Sequence, residues 1–249
     1  MSGRSPELLA KYPSLAKFDG SDDYVESHDG REAVLLKHIY NHPSLEQLRG
    51  SPAAICAVMD EFAGQEDFLI NIGSDKGQKV HDLIKSEKPA VLVELGGYVG
   101  YSAISFGDAM RQAAAPGQEV RLWSLEFDPV IASIAMNLIE LAGLSDVVKV
   151  VVGSAADSLK RLQAEGKLSS IDFLFLDHDE ELYTPDLRLC EELGLLKSGA
   201  LVVADNVLRP GAPKYREYVR QHAGVESWAV KGLIMPGEFE DELEVTRIK

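Results

Sequence analysis

From residue 90 onward the chain alternates short apolar, β-branched runs with segments of helix length. "AVLVEL" is followed by "YSAISFGDAMRQ", "VRLWSLE" by "PVIASIAMNLIELAG", "VVKVVV" by "AADSLKRLQAEG", "IDFLFLD" by "LRLCEELGLL", and "ALVVADN" by "PKYREYVRQHA". Strand-length runs with no polar alternation are buried on both faces, and helices between them make the connections parallel crossovers. The pattern therefore predicts an α/β fold with a doubly wound, mostly parallel sheet, and final strands near 225–231 and 241–248. Helical patterns over about 31–41, 51–64 and 75–88 precede it, the second opening on Ser51-Pro52, a fitting N-cap and first-turn pair. Residues 1–30, broken by Pro6, Pro13, Gly20 and Gly30, read as an N-terminal extension that packs on the outside of the domain or on a second subunit; residues 31–249 form the domain itself.

Composition removes several function classes. A formal net charge of −15 is the wrong sign for phosphate recognition, so a nucleic-acid partner is not expected. No apolar run is long enough to span a bilayer, and the acidic "SDDYVESHDG" is unlike a transit peptide, so the expected location is the cytoplasm and no membrane partner is expected. Cys56 and Cys190 have no metal-ligand spacing and read as core thiols in a reducing compartment.

In a doubly wound sheet, ligands bind beyond the carboxyl ends of the strands, so those ends carry the functional reading. The first run stops at "VELGGYVGYS", where Glu94, Gly96, Gly97 and Gly100 bracket a tight turn into a helix whose free N–H groups face a ligand. The second stops at Glu126, the position at which a carboxylate accepts from both hydroxyls of a ribose. The fourth stops at Asp177-His178 and the fifth at Asp205-Asn206. Two carboxylates and an amide oxygen from adjacent strand ends suit a hard cation such as Mg²⁺. Taken singly, each acid also fits a helix N-cap.

With these motifs in order, "VELGGYVGYSA", "SLEFDP", "FLDH" and "ADNVLRPGAP", the chain resembles the catechol O-methyltransferases, enzymes that use S-adenosylmethionine and a divalent cation. The resemblance runs from about residue 32 to the end, and the tail "DELEVTRIK" is similar to fungal members. It implies a Rossmann-like methyltransferase sheet with an antiparallel C-terminal strand. It assigns Ile72, within the cofactor-covering "INIGSDKGQ", with Glu94, Gly96, Tyr98 and Ser102 to the methionine end of the cofactor. Glu126 is assigned to the ribose, Phe127 to the adenine, and Ala155 and His178 to the same pocket. Asp177, Asp205 and Asn206 would bind Mg²⁺, while Phe68, Asn206 and Pro210 would face a small aromatic substrate. A homodimer is compatible with the resemblance.

Three departures stand out. An aromatic and then a lysine, the general base, follow Asp-His in the family; here Asp179 and Glu180 occupy those places. Glu180, its pKa raised by Asp179 and Glu181, is a candidate replacement, and Lys76 is another; the competing reading of 179–181 is a solvated acidic loop. The family's substrate-orienting glutamate falls on Met235 or Glu238, and "GSAAD" puts Ala155 and Ala156 where polar residues are usual. The activity implied is methyl transfer from S-adenosylmethionine to a hydroxyl of a small catechol-like or polyhydroxylated aromatic with Mg²⁺ assistance. The alternatives are a methyltransferase with a changed acceptor (nitrogen, carboxylate or single hydroxyl) and a cofactor-binding pseudoenzyme.

Overall fold

The computed structural model describes residues 5–17 and 25–249. Seven strands form one sheet: β1 (Val91–Leu95), β2 (Arg121–Glu126), β3 (Val148–Val152), β4 (Ile171–Leu176), β5 (Leu196–Ala204), β6 (Val225–Ile234) and β7 (Phe239–Ile248). Their order is β3-β2-β1-β4-β5-β7-β6, with β7 antiparallel to both neighbours and the first five strands parallel. The direction of winding reverses between β1 and β4, which opens a crevice at their carboxyl ends.

Alternation along each strand explains why both faces are covered. In β4, Phe173 and Phe175 enter the core beneath α4 (Pro52–Gln65), α5 (Gly73–Glu87), α6 (Tyr101–Ala113) and α7 (Pro129–Leu141). Leu174 and Leu176 enter the opposite core, under α8 (Ala155–Ala164), α9 (Tyr183–Glu192) and α10 (Pro213–Gln221). A period of two sends neighbours to opposite faces, so a strand buried on both sides must be apolar throughout.

Helix starts are encoded locally at the strand ends. Asp128 caps α7 by accepting from the N–H groups of Val130 (2.7 Å) and Ile131 (3.0 Å), with Pro129 in the first turn. Ser154 caps α8 through the Asp157 N–H. The N-terminal helices α1 (Pro6–Lys11), α2 (Arg31–Tyr40) and α3 (Leu45–Leu48) precede α4, and α2 begins where the sequence places the start of the domain.

Candidate active site

A cleft of about 1080 Å³ lies at the switch point. Its floor is the turn after β1. Gly96 has φ 91°, and a Cβ there would lie 2.3 Å from the Asp177 carbonyl oxygen; a Cβ on Gly97 would meet Ser124 Oγ at 2.4 Å. Only glycine lets β1 turn this close to the ends of β2 and β4.

Glu94 sits one layer below, fully buried, with Oε2 accepting from Ser124 Oγ at 2.5 Å and Oε1 without a hydrogen-bond partner among the described residues. Burial, and then the charge of Glu126, push its carboxyl up to about 7, against the pull of Ser102 and Ser124. A cation beside Oε1 would restore its ionised form. Glu126 accepts from the backbone N–H groups of Tyr98 and Asp128, both at 2.8 Å, which aims its carboxylate along the cleft wall. Ile72, Gly96, Tyr98, Ser102, Phe127, Ala155 and His178 all line the cleft, so the residues assigned to the cofactor are brought together; Ala156 lies outside its lining. Phe127 is 76 % exposed at the mouth of the cleft. His178 Nε2 lies 2.8 Å from Asp186 Oδ2. The carboxylate accepts there, so in the neutral ring the buried Nδ1 is left as an acceptor without a partner among the described residues.

At the other end, Asp177 and Asn206 line the cleft while Asp205 lies just behind them, fully buried. Asp205 Oδ1 accepts from the Asn206 N–H at 2.7 Å and from Lys76 Nζ at 2.5 Å, while Oδ2 has no partner among the described residues. Burial and mutual repulsion raise the Asp177 carboxyl well above its ordinary range, and burial raises that of Asp205 against the opposing charge of Lys76. Oxygen donors, an unsatisfied carboxylate oxygen and two acids that oppose each other's ionisation fit a hard divalent cation held by Asp177, Asp205 and Asn206.

Lys76 departs from its expected part as a base. It is 1 % exposed, and its ammonium is gripped by Asp205 and by Asp241 Oδ2 at 2.7 Å. Burial alone would lower its pKa, but the two carboxylates outweigh burial and hold it raised. A lysine locked in its charged form has no lone pair with which to take a proton.

The three acids after His178 divide their work. Asp179 caps the short turn Glu180–Leu182 by accepting from the Glu181 N–H at 3.0 Å, and Glu181 pairs with Lys214 on the surface. Glu180 is half-buried in the cleft lining, and its carboxyl is raised by burial and then by Asp179. On the wall assigned to substrate, Phe68 and Pro210 line the cleft. From "LIMPGEFED" the lining residues are Ile234 and Phe239. Glu238 instead points outward and pairs with Lys11, with Tyr12 Oη 3.2 Å away, and Met235 packs against Gly73. Neither reading of the substrate-orienting glutamate places a carboxylate in the cleft.

Part of the extension also departs from its expected outside position. Glu26 and His28 line the cleft. They are held by Arg31, which donates to the carbonyls of Val25 (2.6 Å) and Phe68 (2.7 Å) and to Asp29, and by Glu32, which accepts from the His28 N–H (2.7 Å) and from Tyr98 Oη (2.8 Å). One guanidinium thus ties the segment to the wall that carries Phe68. Sequence reading also passed over Asp241, although a signal existed: it shares the phase of core residues Leu243 and Val245 along β7, so its side chain had to be buried.

The motif spacing seen in the sequence now coincides with one cleft at one switch point. The O-methyltransferase family matches residues 40–225. The chain belongs to that family. It is 37% identical over 196 residues to catechol O-methyltransferase of Bos taurus, covering 79% of this chain and 68% of that one. It is 33% identical over 244 residues to catechol O-methyltransferase B of Danio rerio, covering 93% and 89%. Among solved structures, the O-methyltransferase from Bacillus cereus in complex with SAH superposes with a TM-score of 0.65 at 22% identity, covering 87% of this chain and 97% of that one; at that identity the likeness speaks to the fold. This O-methyltransferase therefore shares its family with enzymes named for catechol, while Glu180 stands where the resemblance calls for a lysine.

Proposed function

We propose that the protein transfers the methyl group of S-adenosylmethionine to a hydroxyl of a small aromatic with vicinal hydroxyls, assisted by a divalent cation. The observation that carries this reading is the unpartnered, buried Oδ2 of Asp205 directly behind Asp177 and Asn206, two residues that line one cleft with the glycine turn and Glu126.

The cofactor supplies an electrophilic methyl on a sulfonium, which becomes a neutral thioether as the new C–O bond forms. A divalent cation, when bound, acidifies a chelating hydroxyl and restricts its angle. The protein's residues do the rest. Glu94 would pair with the cofactor's ammonium, Glu126 would accept from its ribose hydroxyls, and the Gly96–Gly97 turn would let the backbone approach its carboxylate end. Phe68, Pro210, Ile234 and Phe239 give the acceptor ring an apolar slot that excludes water. Glu180, half-buried and raised toward the working range, accepts the departing hydroxyl proton at its carboxylate. Holding both reactants at near-attack distance lowers the barrier further.

A mass-spectrometric screen of mono-, di- and trihydroxylated aromatics with S-adenosylmethionine and Mg²⁺ tests the reading. Methylated catechols, lost on chelation, with monophenols untouched, are the expected result. Monophenol methylation that survives chelator would sink the metal-assisted reading and favour a changed acceptor, for which the acid at 180 is the specific motive.

A further inference from the structure

We infer that Asp241 is a positioning residue for the metal-ligand set, acting through the side-chain amide of Asn206. The inference rests on the metal-assisted reading above. Asp241 lies on β7, two strands from β4 and outside the cleft lining, and it is 2 % exposed. An isolated buried carboxylate is costly unless its lone pairs are used. Here all are directed at groups around the site. Oδ1 accepts from the N–H groups of Leu208 (3.1 Å) and Arg209 (3.2 Å), the turn that leads into Pro210. Oδ2 accepts from Lys76 Nζ (2.7 Å) and from Asn206 Nδ2 (3.3 Å).

The last contact and one from Arg209 together fix how the Asn206 amide is turned. Its amide nitrogen meets two groups that can only accept, the Asp241 carboxylate and the Arg209 carbonyl at 2.8 Å. An amide has one donor end and one acceptor end, so Nδ2 must face these partners and Oδ1 must face away from them. Asn206 itself sits at φ 56°, a left-handed conformation that fixes where its side chain starts. Lys76 closes the frame by bridging Asp241 to Asp205, so one buried carboxylate sets the direction of one ligand and, through an ammonium, braces another. Partners behind metal ligands that orient them typically contribute 10–100-fold in metal affinity.

The test is Mn²⁺ binding followed by electron paramagnetic resonance, without acceptor or turnover, on Asp241→Asn in the wild-type and in the Asn206→Ala background. Asparagine keeps the size of the side chain but turns a second amide toward Asn206. The expected result is a Mn²⁺ dissociation constant raised about 10–100-fold in the first background and less than about threefold in the second. S-adenosylhomocysteine affinity by calorimetry should stay within about threefold, which a general loosening of the fold would not allow. Should Asp241→Asn fold poorly, Asp241→Ser, which removes the carboxylate and leaves the Lys76–Asp205 pair in place, replaces it in both backgrounds. Equal losses in both backgrounds, or wild-type-like Mn²⁺ affinity in Asp241→Asn, would overturn the inference while leaving the metal reading in place. Absence of Mn²⁺ binding to the wild-type protein would remove both.

Discussion

At the ends of β1 and β2, polar groups are placed by residues of one β-α-β unit. The Gly96–Gly97 turn, Glu94 with Ser124, and Glu126 with the N–H groups of Tyr98 and Asp128 all fall within residues 94–128. At the ends of β4 and β5 the frame is assembled from afar: Lys76 comes from α5 and Asp241 from β7, at sequence separations of 129 between Lys76 and Asp205 and 165 between Lys76 and Asp241. The first half is a local device that the chain carries as a motif. The second depends on the whole sheet having formed, because its charges are tolerable only when all are in place.

The largest effect is expected in the remote half. Asp205→Ala removes a carboxylate of the proposed metal site and one of the two partners of a buried ammonium. Single-turnover rate should fall by at least about 10³-fold, and chemical denaturation should show about 3–5 kcal/mol of lost stability. Full activity in the presence of chelator would break the contrast between the halves. Next, Glu180→Gln should lower kcat by about 10²-fold and abolish a limb of the pH–rate profile, since glutamine keeps the shape and cannot take a proton. A loss below threefold with the limb intact would return Glu180 to a solvated surface.

The local half should respond more mildly. Glu126→Ala is expected to weaken S-adenosylmethionine binding by about 1.5–3 kcal/mol by calorimetry, the scale of hydrogen bonds to a charged group. Glu94 sharpens the same half through pH. Its carboxyl is raised to about 7 in the free protein, so an ammonium ligand must draw it back to the ionised form and lower its pKa. Affinity is then complete above pH 7 and falls by up to about tenfold per unit below it; Glu94→Gln should give a weaker but flat profile. The smallest effect is assigned to the latch at the N-terminal segment. Arg31→Ala should weaken cofactor binding by about three- to tenfold by releasing the lining residues Glu26 and His28. Unchanged affinity would show that this segment borders the cleft without contributing to it.

How far each half was legible follows from the same difference. The glycine turn and Glu126 of the cleft lining were legible because strand, glycine turn and acid follow one another in order, and local geometry makes their spacing meaningful. That Asp177, Asp205 and Asn206 come together was legible because they end the apolar runs of the adjacent strands β4 and β5. Lys76 is visible in the sequence as a chemical group, but a lysine shows nothing of its carboxylate partners until they are in space. Asp241 opens the predicted last strand in the phase of Leu243 and Val245, but an acid in a strand shows nothing of the partners it will meet. Residues 26 and 28 were set aside with the extension because proline and glycine content describes how a segment is built and says nothing of where its end is pinned.

Sequence alone determined the parallel sheet, its switch point and the residues at the strand ends, because hydrophobic period and glycine placement are local properties that hold wherever the chain goes. Tertiary structure decided which charges neutralise which: that Lys76 is a brace, that Glu180 faces the cleft while Glu181 turns away to Lys214, and that Glu238 pairs with Lys11 outside it. Charge pairing falls off with distance and depends on burial, and neither quantity exists until the elements have packed.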